Sequence, residues 1–146
     1  MSKIIVYPPT INWDLLYQRP QFILDRLVKE GFTSYFFDSN PPYEGSTKCR
    51  SIYEIKDRLL RVPPFFNPKL LEPFHLYYSL SNHYNWVKQF DTGKIVYDFL
   101  DWPVDNQESP DLAIASADLV LTVSDKLTKY VEEIGRKALY IPNGVD

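Results

Sequence analysis

Cysteine, histidine and methionine are nearly missing from this 146-residue chain, which has one Cys, two His and one Met. The single Cys49 excludes an intrachain disulfide and fits a reducing compartment. His75 and His83 have no Cys or acidic neighbours at ligand spacing, so no metal site is expected. Glycine is also scarce, five in all, and none falls between Lys3 and Glu30. The Gly-rich dinucleotide fingerprint is therefore absent from the place that needs it, after the first strand, and no phosphate loop occurs elsewhere. That argues against a simple nicotinamide or flavin enzyme. Neither sign of charge dominates: 16 basic and 19 acidic residues give −3, no field for nucleic acid or anionic lipid. Long apolar runs are missing as well. The start Met1-Ser2-Lys3 leads into only a short strand before Pro8-Pro9, too little for a signal-peptide core, and nothing approaches membrane-spanning length. A soluble, cytoplasmic chain without a transmembrane segment is the expectation.

Aromatic side chains are what the chain has in plenty, at 16%, with eleven Tyr and three Trp, beside twelve Pro. The plain reading is a core and interfaces built from large rings. The sharper reading is flat apolar faces on which sugar rings stack, and composition alone favours the plain one. At 45% apolar and 24% charged the chain is ordinary for a globular protein, and its length fits one domain with a sizeable core.

Lys3 to Tyr7 is a β-branched run and the expected first strand, followed by a long connection, Pro8 to Gln18. A helix is expected from Pro20, suited to a first turn, to a cap at Gly31, with Phe22, Ile23, Leu27 and Val28 as its buried stripe. Thr33 to Asp38 reads as the second strand and Asn40 to Gly45 as turns. Ser51 to Ile55 and Arg58 to Val62 flank a tight turn, a β-hairpin insertion near 51–62. Pro68 to Phe90 is expected to be helical, broken at Pro73, with Phe74, Tyr77, Tyr78, Leu80 and Tyr84 as an apolar stripe. Lys94 to Asp98 reads as a strand. Ser109 and Pro110 read as the N-cap and first position of a helix. Asp118 to Val123, Ser124 to Ile134 and Ala138 to Ile141 read as strand, helix and strand. This alternation predicts an α/β class: a Rossmann-like, mostly parallel sheet with helices on both faces. The first strand is expected to be central, between the second strand and the Lys94 strand.

In such sheets ligands bind beyond the C-terminal strand ends, where strand order reverses. That rule points to two loops, Pro8 to Arg19 and Phe99 to Ser109. The first holds Thr10, Asn12, Trp13, Asp14, Gln18 and Arg19. Asp14 reads equally as a helix cap, and Trp13 as packing. Arg19 is harder to dismiss, because a cation at a helix N-terminus opposes the dipole; a partner carboxylate or an anionic ligand would account for it. The second loop gathers Asp98, Asp101, Trp102 and Asp105 at one strand end. Paired carboxylates can do acid–base work, yet each acid taken singly reads as a solvated loop residue. Ser124 reads as a helix N-cap, a position that can also face an anion or hydroxyl.

The run Ala117-Asp118-Leu119-Val120-Leu121-Thr122-Val123-Ser124, followed by Ile141-Pro142-Asn143-Gly144-Val145-Asp146, resembles the end of the N-terminal domain of family 4 glycosyltransferases, two-domain enzymes of GT-B architecture. Gln18-Arg19-Pro20-Gln21 after Trp13 is similar to a Trp-then-Arg-Pro signature in a subset of them, and departs from members with a Gly-Gly pair against the donor diphosphate. Tyr97-Asp98 with Asp101 is similar to a Tyr-Asp-x-x-Asp variant, where other members carry a His near the reacting sugar. The resemblance implies that residues 1–146 form the acceptor-side domain, cut at the hinge, with the donor-binding domain and its paired Glu absent. It implies sugar transfer from a nucleotide sugar with retention, without an essential metal or other cofactor. Asp98 and Asp101 are then the catalytic positions near the acceptor hydroxyl. Trp13, Asp14, Gln18, Arg19, Trp102 and Ser124 contact substrate, and Asn143 and Gly144 form the interdomain junction. The implied partners are the nucleotide-sugar donor and a sugar or lipid-linked glycan acceptor. Surface polysaccharide assembly is a common use of the family, which leaves peripheral association at the inner face of the membrane open. Half a cleft alone is expected to be inactive.

Two other classes compete. A phosphoacceptor receiver domain needs acids after the first strand, where this chain has Tyr7-Pro8-Pro9. A stand-alone α/β ligand-binding or protein-interaction module would use the aromatic surface and need no second domain.

Overall fold

The computed structural model describes residues 3–10, 13, 19–38, 49–100 and 109–142. The chain is α/β and Rossmann-like: among the described residues eight strands, mostly parallel, alternate with helices. It divides into two compact units, Met1–Leu76 with Phe90–Gly93, and Tyr77–Gln89 with Lys94–Asp146.

In the first unit β1 (Ile4–Tyr7) leads to α1 (Arg19–Lys29) and then β2 (Thr33–Phe37). β3 (Tyr53–Lys56) and β4 (Leu59–Val62) form the expected antiparallel hairpin, and β4 pairs parallel with β2. β5 (Phe74–Tyr78) begins here and pairs parallel with β1 through His75 and Leu76. β1 is thus held between β2 and β5. β1 is central as expected, but its second neighbour is not the Lys94 strand. The reason lies in the 68–90 segment, which is not the expected long helix. It contains a 3₁₀ turn (Pro68–Leu71), then β5, then a second 3₁₀ turn (Ser81–His83) and a single helical turn, α2 (Tyr84–Val87). Phe74, Leu76, Tyr77 and Tyr78 are all buried, so β5 shows no alternation and mimics a helical apolar stripe in sequence.

α1 starts and stops where expected, with Gly31 at φ +101° beyond its end, a conformation that glycine adopts without a Cβ penalty. Its buried face differs from the expected one. Gln21, Leu24 and Val28 are inside, at three- and four-residue spacing, while Phe22 is 60% exposed. The helix has turned so that a glutamine rather than a phenylalanine points inward. Tyr7 stacks on Phe36 at 5.1 Å, and Phe37 and Phe74 contact Phe66 and Phe90.

The second unit holds the end of β5, α2, β6 (Thr92–Phe99) from Lys94 onward, α3 (Asp111–Ser116), β7 (Leu119–Thr122), α4 (Asp125–Glu133) and β8 (Leu139–Tyr140). β6, β7 and β8 pair in parallel, Phe99 opposite Thr122 and Thr122 opposite Tyr140. Its core is aromatic: Tyr78 and Tyr97 meet at 5.1 Å, Tyr97 and Phe99 at 5.7 Å, and Phe99 meets Tyr130 edge-on. α3 begins one residue later than expected. Pro110 is the cap residue, and Ser109 Oγ accepts from the Asp111 N–H. Leu127 and Val131 carry the buried face of α4, while Ile134 is exposed. The Arg136 guanidinium donates to the Ala115 and Ala117 carbonyls, closing the end of α3.

Among the described residues no helix is long and apolar enough to cross a membrane.

Candidate functional site

The parallel strands of each unit deliver their following residues to one sheet edge, the C-terminal one. In the first unit this edge carries Trp13 after β1, Asp38 after β2, and Arg61 near the end of β4, with Tyr53 of β3 opposite Arg61. Arg61 and Asp38 are both buried and form an ion pair. Arg61 Nε and Nη2 donate to Asp38 Oδ2 at 2.9 and 2.6 Å, and Nη1 donates to the Tyr53 hydroxyl at 2.9 Å. The guanidinium also lies 5.9 Å from the Tyr53 ring centre. The Arg61 pKa is pushed up, its hydrogen bonds to Asp38 and Tyr53 outweighing the opposing effect of burial, the largest single influence. Asp38 Oδ1 accepts the backbone N–H of Trp13 at 3.1 Å, and Gln21 Nε2 donates to the Trp13 carbonyl at 3.4 Å. The Trp13 ring meets Phe36 edge-on at 5.1 Å. Trp13 is half-buried, so it packs and still presents part of its surface.

Arg19 is the first residue of α1, half-buried, and no acid accompanies it in the first turn.

In the second unit Asp98 lies within β6 near its C-terminal end, and Ser124 follows β7. Asp98 pairs with Leu121 and Phe99 with Thr122, so both residues belong to the same edge of adjacent parallel strands. Asp98 is not a solvated loop acid. It is 0% exposed, and its Oδ2 accepts the Tyr77 hydroxyl at 2.5 Å. Neighbouring strand residues alternate in direction, so Tyr97 and Phe99 leave the opposite face of β6, where Tyr97 meets Tyr78. Burial pushes the phenols of both Tyr78 and Tyr97 well above the usual tyrosine value. The Tyr78 hydroxyl is buried without a hydrogen-bond partner among the described residues.

Ser124 is the N-cap of α4, as expected. Its backbone is extended (φ −146°, ψ 158°) and its Oγ accepts from the Leu127 N–H at 3.3 Å. Its carbonyl accepts from both the N–H and the hydroxyl of Thr128. A serine hydroxyl that accepts one bond keeps its own proton to donate, so capping leaves Ser124 able to address a ligand.

Trp13 and Arg19 belong to the first unit, Asp98 and Ser124 to the second. Asp14, Gln18, Asp101, Trp102, Asn143 and Gly144 lie outside the described residues. A groove of about 490 Å³ lies along α4 and is lined by Lys126, Lys129, Tyr130 and Glu133. The Tyr130 hydroxyl donates to Asp111, which raises the Tyr130 pKa. None of the described predicted site residues lines this groove. Among the described residues no three His, Cys, Asp or Glu side chains group to hold a metal.

No family model, curated protein or solved structure matches this chain. The functional reading rests on the strand-end residues and on the sequence motifs alone.

Three members of the site escaped the sequence reading. Asp38 and Arg61 are 23 positions apart, on two strands that become neighbours only through the parallel pairing of β2 and β4. Tyr77 was placed in a helix. The one available signal for the first pair was an Arg inside a strand pattern, since a buried Arg demands a partner carboxylate.

Proposed function

We propose that the chain is the acceptor-side half of a nucleotide-sugar-dependent, retaining glycosyltransferase of the GT-B kind. The observation that carries the reading is the shared C-terminal edge of β6 and β7, where Asp98 lies one residue before the end of β6 and Ser124 caps the helix that follows β7. This edge is where an open α/β sheet takes its ligand, and it coincides with the motifs that resemble family 4 enzymes. In this reading Asp101 stands at the acceptor hydroxyl. Asp98, being buried, acts by fixing Tyr77 and the end of β6. Ser124 offers its hydroxyl beside the free N–H groups of the α4 N-terminus. In the other unit Trp13 supplies a ring face and Arg19 a cation for an anionic group, with Asp14 and Gln18 beside them in the chain, and Trp102 serves on the β6 side. Asn143-Gly144 leads to the donor-binding domain. Transfer forms a bond from the acceptor oxygen to the anomeric carbon, breaks the bond from that carbon to the diphosphate, and passes the acceptor's hydroxyl proton to the departing diphosphate. The donor is a substrate, and no metal or other cofactor enters. Acceptors of the sugar or lipid-linked glycan class, work at the inner membrane face and a role in polysaccharide assembly extend the same reading.

Two measurements test it. The 146-residue chain should release no nucleoside diphosphate from UDP-glucose or GDP-mannose, and release proportional to protein concentration would overturn the half-cleft reading. The reading frame past Asp146 should encode a second α/β domain with a Glu pair; an immediate stop codon would sink it in favour of a stand-alone module.

A further inference from the structure

We infer that Asp38 is a positioning residue: clamped by Arg61, its carboxylate fixes Trp13 in the orientation in which that ring meets ligand. The inference rests on the reading of Trp13 as a substrate contact. Trp13 stands in the connection between β1 and α1, and its backbone groups find their partners on two buried side chains. Its N–H is held by Asp38 and its carbonyl by Gln21, both fully or almost fully buried, while the ring rests on Phe36. Position and direction of the peptide are therefore both specified. The division of labour on Asp38 is telling. The two Arg61 bonds to this carboxylate fall on Oδ2, while the Trp13 N–H is accepted by Oδ1. Arg61 is in turn oriented by the Tyr53 hydroxyl.

A purely stabilising role explains this poorly. A buried ion pair is commonly no better for stability than two apolar residues of similar volume, because both charges must be desolvated. What apolar residues lack is a fixed acceptor aimed at one backbone N–H 25 residues away. The pair thus does for Trp13 what regular secondary structure does elsewhere: it supplies the backbone partner that sets the residue's place.

The test reads Trp13 by NMR in the 146-residue protein. The wild-type Trp13 amide should exchange with solvent at least about tenfold more slowly than in an unstructured peptide, as a hydrogen-bonded amide does. Asp38→Ala, which leaves no side-chain acceptor, should remove that protection, at the cost of stranding the Arg61 charge. The double variant Asp38→Leu/Arg61→Met removes both charges together and should keep the melting transition while losing the Trp13 protection. UDP-glucose and methyl α-glucoside, titrated separately, should shift the Trp13 indole resonance in wild type and at least about fivefold less at equal concentration in the double variant. A wild-type amide that exchanges freely, or protection that survives the double variant, overturns the inference and leaves the functional reading intact. A protected amide with an indole that answers neither probe overturns the reading of Trp13 as a ligand contact, and the positioning role with it.

Discussion

Replacing Tyr77 by Phe removes one oxygen and nothing else, at a place where the consequence is large. Tyr77 and Asp98 are 1% and 0% exposed, so water cannot replace the lost bond from the surface. The bond measures 2.5 Å, and a hydrogen bond to a charged group contributes about 1.5–3 kcal/mol net, more than a neutral pair. Ring volume is kept, so no cavity cost is added, and the loss should lie within that range. For a chain of this size each kcal/mol moves the melting temperature by roughly 2–4 °C, which gives a drop of roughly 3–12 °C. Asp98→Asn keeps an acceptor for Tyr77 but weakens it, and should cost about 1–3 kcal/mol. Asp98 taken as a loop acid would cost almost nothing, so thermal melts alone separate the two views. The decisive form is a double-mutant cycle with Tyr77→Phe, Asp98→Asn and both. A coupling of about 1–2 kcal/mol is expected for two groups in direct contact. Coupling below about 0.5 kcal/mol, the size of an ordinary surface effect, would refute the bond as a stabilising contact.

Three further outcomes are expected. Ser124→Ala should cost about 1 kcal/mol in a denaturant titration, because the Leu127 N–H loses its acceptor, and a change under about 0.3 kcal/mol would remove the cap from the account. Arg58 sits in the hairpin turn at φ +62°, where Arg58 Nη2 also donates to the Val28 carbonyl. Arg58→Ala and Arg58→Gly lose that bond equally, so the glycine variant should be about 1 kcal/mol the more stable, and equal melts would deny the backbone strain. The Lys56 ammonium, 2.7 Å from Asp25, holds that carboxyl below the usual carboxylate range. With the folded value depressed, its stabilisation is full above the ordinary range and lost as pH falls through the folded value, so Asp25→Asn should flatten the stability profile between about pH 5 and 2; a slope equal to wild type would refute this.

The elements bounded by strong local signals were legible in the sequence. Gly31 announced the end of α1, Ser124 the start of α4, and the runs Ser51 to Ile55 and Arg58 to Val62 announced the hairpin, whose turn falls one residue later, at Asp57-Arg58. What failed was whatever depends on a partner far along the chain. β5 is buried on both faces, so its five residues carry no period of two, and its neighbours in sequence made a helix plausible. The turned face of α1 followed from Gln21, whose inward place is explained by the Trp13 carbonyl it reaches. Asp98 was legible as a strand-end acid, but its burial was not, because Tyr77 reaches it from a strand that local pattern could not reveal. The Asp38–Arg61 pair depends on the β2–β4 register, which no local spacing encodes.

That register gives the ion pair a further meaning. A hairpin added to the margin of a parallel sheet has few ways of knowing where to stop sliding, since its apolar residues can satisfy neighbouring slots almost equally well. Arg61 faces Phe36 and its charge meets Asp38 two residues further on, just past the end of β2. A slip by one residue would turn the guanidinium to the other face, and a slip by two would carry it some 7 Å along the strand, away from its counter-charge and into apolar surroundings. Each wrong docking of the hairpin would bury an unanswered charge, so the pair favours the observed register over its neighbours.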